Sequence, residues 1–166
     1  NTNTAITGTV IVTPTFNGCL GTASNFTVTI NPTPTVTNNS LAQSICSGTS
    51  TVQVTWTSNI ANTTYAWTGV ASSGAVSGFT ASGSGNLPAM TITNSGNTPQ
   101  TLTYTVTPTR NGCNGPSVTY TITINPTPVL TLSANQTICG GQTTVASAYT
   151  NSVAGGTFAY ALQNPP

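Results

Sequence analysis

The stretch QTLTYTVTPTRNGCNGPSVTYTITIN, residues 100–125, decides the fold. In 100–107 the residues Leu102, Tyr104 and Val106 alternate with Thr101, Thr103, Thr105 and Thr107. In 118–125 the residues Val118, Tyr120, Ile122 and Ile124 alternate with threonines in the same way. A period of two puts all apolar side chains on one face of an extended chain, the mark of a half-buried β-strand. Threonine suits the opposite face, being β-branched and polar without charge. Asn111-Gly112 lies between the two runs and favours a tight hairpin turn.

Working outward, similar patterns mark 51–57, 63–68 and 89–94, with a weaker one at 78–82. Val52, Val54 and Trp56 are expected to share a face. The Gly/Ser-rich stretch 70–88 reads as a long connection, and no segment has a helical period. Six or seven short strands separated by turns predict an all-β fold, an antiparallel sandwich of immunoglobulin-like type. Trp67, Tyr104 and Tyr120 are its expected core aromatics, since such sandwiches bury a tryptophan on an inner strand.

The deciding stretch also repeats. Residues 13–37 return as 107–131, with Cys19 and Cys113 94 positions apart, and QSICSG at 43–48 returns as QTICGG at 136–141, offset by 93. Self-similarity at a fixed period marks a modular array. The expected division is the back part of one module in 1–34, a complete module in 35–128, and the front part of another in 129–166. In the last part Tyr149 answers Trp56, Phe158 answers Tyr65, and Tyr160 answers Trp67. The borders carry NPTP at 31–34 and 125–128. Each proline fixes its own φ and biases its predecessor toward extended geometry, so these joints are expected to be stiff.

Composition narrows function. The 166 residues include no Asp, Glu, Lys or His, and Arg110 is the one charged side chain. General acid–base catalysis needs a group that titrates near working pH, and a hydroxyl nucleophile needs a base beside it. The expectation is a protein that is not an enzyme. Calcium and magnesium want carboxylates, a nucleic-acid surface wants many cations, and an anionic membrane wants a polybasic segment. No cofactor, nucleic-acid partner or membrane insertion of this segment is therefore expected; no apolar run nears the ~20 residues of a span.

Cysteines stand at 19, 46, 113 and 139, with no C-x-x-C and no histidine, which argues for disulfides over zinc. A Cys46–Cys113 bond within the complete module is the first choice, closing a long loop worth about 2–4 kcal/mol. Cys19 and Cys139 would then pair outside the segment or with neighbouring modules or chains. Strand direction leaves the alternatives open, because a bond needs Cα atoms within about 7 Å. Two chains meeting end to end offer another arrangement, a composite module with Cys139 facing Cys19 of the neighbour. N-x-S/T sequons at Asn25, Asn38, Asn62 and Asn135 are possible glycosylation sites.

The set Ile45-Cys46-Ser47-Gly48, Tyr65-Ala66-Trp67, T-x-T-V-T-P-T-x-N-G-C and N-P-T-P resembles one known class. It is similar to the PKD-like, immunoglobulin-like repeats of very large Bacteroidota surface proteins exported by the type IX secretion system, some of them gliding-motility adhesins. The resemblance implies a β-sandwich repeat, an extracellular or cell-surface location, and a role in adhesion or surface filaments. The resulting expectation is a structural repeat of an extracellular filament or adhesin stalk. Its partners would be copies of itself or adjacent repeats, and surface glycans. The rival readings are a carbohydrate-binding sandwich using Trp56 and an ice-binding surface using the threonine rows, which sheet twist opposes.

Overall fold

A computed structural model describes residues 3–161. The chain is all-β, and no helix occurs among the described residues. It begins with β1 (Ile6–Val12), β2 (Thr15–Phe16), β3 (Cys19–Leu20) and β4 (Ser24–Ile30). There follow β5 (Ala42–Cys46), β6 (Thr49–Ser50), β7 (Thr64–Ala71), β8 (Val76–Ser77) and β9 (Ser82–Ser84). Next come β10 (Thr91–Asn94), β11 (Gln100–Arg110), β12 (Cys113–Asn114) and β13 (Val118–Asn125), with β14 (Leu130–Leu132) and β15 (Tyr149–Asn151) closing the order.

The central sandwich has two layers. One sheet runs β5-β13-β11-β7-β9, with β12 on the end of β11; the other runs β6-β10-β8. The alternation of residues 100–125 decides which side faces in. Leu102, Tyr104, Val106, Ile122 and Ile124 are fully buried against Ile92, Val76, Leu87 and Met90. Each large apolar side chain taken out of water contributes about 1.5–3 kcal/mol. The threonines stack outward, with Thr101, Thr103 and Thr105 opposite Thr123, Thr121 and Thr119.

Aromatic bulk is accommodated by glycine. Tyr104 lies opposite Gly69 on β7, and Trp67 lies opposite Gly83 on β9. A β-carbon at either glycine would overlap the facing ring. The rings meet edge to face, their centroids 5.5 Å apart at 84°, a favoured aromatic geometry. Tyr104 then donates its hydroxyl hydrogen to the Thr80 carbonyl at 2.9 Å, which satisfies its one polar atom.

At the Asn-Gly turns Asn17, Gly18, Asn111 and Gly112 all take positive φ, the conformation that two-residue hairpins demand. The expected hairpins are therefore β2–β3 and β11–β12, with β13 following after Gly115-Pro116-Ser117.

The expected all-β sandwich is what the chain forms, with one parallel pairing in it, and one strand expectation is corrected. The sandwich is mixed: β5 joins β13 in parallel, Cys46 lying beside Asn125. Residues 51–57 are no regular strand, and Val52 is 75% exposed while Thr51 is buried. The reason is a pair of side-chain amides. Val52 N–H donates to Gln43 Oε1 at 3.0 Å and Gln43 Nε2 donates to the Val52 carbonyl. Asn38 likewise donates to the Thr55 carbonyl and accepts from Thr57 N–H, both at 2.8 Å. On its other edge the segment bonds main chain to main chain with 87–90, Thr51 to Met90 and Val54 to Leu87, so the side-chain amides hold the edge that no strand covers, and Val52 turns outward.

Outside the sandwich, β1 pairs with β4, and β14 pairs with β15.

Candidate functional site

The one cation, Arg110, ends β11 and donates from Nη1 to the Asn62 carbonyl at 3.0 Å. It braces a turn in which Asn62 adopts positive φ. The sequence has no carboxylate or imidazole, the side chains that most often carry acid–base catalysis. Burial pushes Tyr104 up to about 12. Burial also raises Tyr65 and Tyr120, opposed by hydrogen bonds to Ser58 and Gln43 respectively. All three are thus further from a useful range than an ordinary phenol.

Trp67, Tyr104 and Tyr120 all lie in the core cluster, and so does Trp56. Trp56 and Trp67 are each 5% exposed, so neither presents a ring face on which a sugar could stack. Trp56 packs edge to face on Tyr120 at 5.8 Å and tilted on Tyr65 at 6.5 Å. Its Nε1 is a buried donor without a partner.

All four cysteines are free thiols. The expected Cys46–Cys113 bond is corrected by strand direction. Because β5 runs parallel to β13, Cys46 sits beside Asn125 at the far end of that strand. Cys113 pairs with Arg110, beyond the Val106–Val118 start of the β11–β13 ladder. Seven residues of strand at ~3.3 Å each separate the two levels by at least about 23 Å, against the ~7 Å that a disulfide spans.

Among the sequons, Asn25, Asn62 and Asn135 are exposed. The Asn38 Nδ2, where a glycan would attach, donates to the Thr55 carbonyl, so a glycan there would disturb a hydrogen bond of the fold.

What the sequence reading missed is the joint at the end of the sandwich where Cys113 lies. Asn3, Ala5, Pro32, Ile60, Arg110 and Asn111 border a cleft of about 330 Å³, and Asn59 donates to Asn3 Oδ1 at 3.1 Å across it. Gly115 packs directly on the Pro34 carbonyl. The signal was present in the NPTP border and the repeated hairpin, both of which meet here. The opposite end is marked by Thr127, which reaches the Ser47 carbonyl at 3.4 Å. The two proline borders therefore leave from opposite ends of the sandwich.

No curated protein matches the chain. Residues 43–128 match the PKD-like domain, and this span runs from the second residue of β5 through β13 and covers more than half of the sequence. The chain belongs to the PKD-like domain family.

Proposed function

We propose that this protein is a structural repeat unit of an extracellular filament or adhesin stalk on a bacterial surface, acting as a rigid spacer. The observation that carries this reading is the placement of the proline borders at opposite ends of one sandwich, where Pro34 packs on Gly115 and Thr127 on Ser47. A sandwich joined at both poles by proline-limited segments transmits length and direction. The modular division into 1–34, 35–128 and 129–166 belongs to the same proposal. It is supported by identical pairing in two places: Val10 faces Phe26 as Tyr104 faces Tyr120, and Phe16 faces Cys19 as Arg110 faces Cys113.

The narrower assignment, to type IX-secreted adhesins of the gliding-motility kind, rests on the sequence resemblance. A charge-free composition and buried tryptophans favour a spacer over an enzyme or a sugar-stacking module. Immunogold electron microscopy of intact cells tests the proposal. Gold along surface fibres is the expected result; label confined to the cytoplasm would overturn it.

A further inference from the structure

The threonines that alternate with the core residues of β11 and β13 belong to rows that cross the whole larger sheet. Thr121, Thr103 and Val70 lie abreast on β13, β11 and β7, and Thr119, Thr105 and Thr68 form the next row. Ala42 on β5 and Ser82 on β9 extend the two rows to the margins of the sheet. None of these residues is buried, and Val70 is 70% exposed. The rings of Trp67, Tyr104 and Tyr120 point the other way, into the core.

Such a face fits a copy of itself. It carries no charge, because the sequence has no Asp, Glu, Lys or His and Arg110 is engaged by the Asn62 carbonyl at the end of β11. A protein surface is ordinarily about a quarter to a third charged, and a net charge near zero favours association. A hydroxyl both donates and accepts, so a threonine array is complementary to its own copy, whereas a row of like charges repels itself. A sugar finds no ring to stack on here, and a nucleic acid finds no cation. Twist, which spoils a match to the flat lattice of ice, suits a second sheet of the same hand. Two such sheets stack at about −30° with their side chains interdigitated.

The area is sufficient. Strands about 4.8 Å apart and residues ~3.4 Å apart give the face a footprint of roughly 500 Å². Two copies together would cover about 1,000 Å², the lower bound for a specific interface. We infer that a second copy of this chain packs face to face on the outer side of this sheet. β11 is the middle of the five strands, so a two-fold axis through the face brings Thr103 close to its own copy.

The contact needs only the central sandwich. The repeat-unit reading adds accumulation along an array. β1 and β4 set Thr7 and Thr9 opposite Thr29 and Thr27, as β11 and β13 set Thr101 and Thr103 opposite Thr123 and Thr121. Each repeat therefore brings a further patch of the same chemistry, and fibres built from them adhere side by side.

Sedimentation equilibrium of the reduced full chain over a concentration series tests the contact. The parent should pass from monomer to dimer as concentration rises. Thr103→Lys, which sets like charges against each other across the interface, should weaken the dimer about tenfold or more. Val52→Lys, which puts the same charge at an exposed position outside this face, should leave it unchanged. Mixing Thr103→Lys with Thr103→Glu should restore the dimer, which neither misfolding nor bulk charge explains. A parent that stays monomeric throughout would overturn the contact, as would equal weakening by both lysine variants or a mixture that does not reassociate. Glycan binding or thermal hysteresis of a monomeric parent, abolished by Thr103→Lys, would name another occupant and overturn it too. Gold label confined to the cytoplasm sinks the filament reading alone and leaves this contact standing.

Discussion

Gln43 holds the main chain of Val52 with both ends of its side-chain amide, accepting from Val52 N–H at 3.0 Å and donating to its carbonyl at 3.5 Å. Gln136 and Val145 repeat the clasp at 2.8 Å in both directions. One amide thereby does the work of a β-ladder step on the edge of the segment opposite the one that bonds to 87–90.

Replacing Gln43 with alanine should destabilise the central sandwich by about 1 kcal/mol, the usual net worth of an intramolecular hydrogen bond. The cost stays small because Val52 is solvent-exposed and water re-satisfies its backbone. Urea unfolding of the reduced protein checks this. Gln43→Glu, which keeps the acceptor and loses the donor, should fall between alanine and the parent; equal midpoints for all three would refute the clasp.

A side chain at Gly83 has nowhere to go, because its β-carbon would enter the Trp67 ring. Gly83→Ala should cost about 1–3 kcal/mol, the range for overpacking a core. Gly74→Ala, where nothing lies within 4 Å of the added carbon, is the matched control. Equal unfolding midpoints for the two variants would contradict the packing described.

Stability should be nearly flat between about pH 5 and pH 9, since the sequence has no carboxylate, lysine or histidine side chain to titrate. Above that range Tyr104 takes over. Its ordinary value of 10.0 is pushed up to about 12 by burial, and Tyr65 and Tyr120 shift the same way. Between these values the unfolded chain has released a proton that the folded chain retains, so stability, complete below pH 10, declines as pH rises toward 12. Denaturant midpoints measured from pH 5 to pH 12 test the sign. Constancy through pH 12 would contradict it, as would a large change below pH 9.

Much of this was legible in the residues. The strict alternation of 100–125 names both the buried face and its aromatic members, because a period of two has only two sides. The Asn-Gly turns are legible for a similar reason, since few residues tolerate positive φ. The direction of β5 was not. Parallel pairing of the first strand with the last depends on where the chain crosses between sheets, which no local pattern records. The misplacement of Cys46 follows from that one missing fact. Val52 misled because alternation assumes a regular ladder, whereas here the backbone bonds at Thr51 and Val54 are three residues apart and Gln43 and Asn38 hold the other edge. A usable signal did exist, as Gln43 and Val52 recur at equal spacing as Gln136 and Val145.

Stiff joints at both poles of the sandwich are the centre of the account, and small-angle X-ray scattering of the reduced, dilute chain tests them most directly. A compact chain of this length has a radius of gyration of about 15 Å. The account predicts a value well above that, with the scattering profile of an elongated particle. A radius near 15 Å with a globular profile would contradict it.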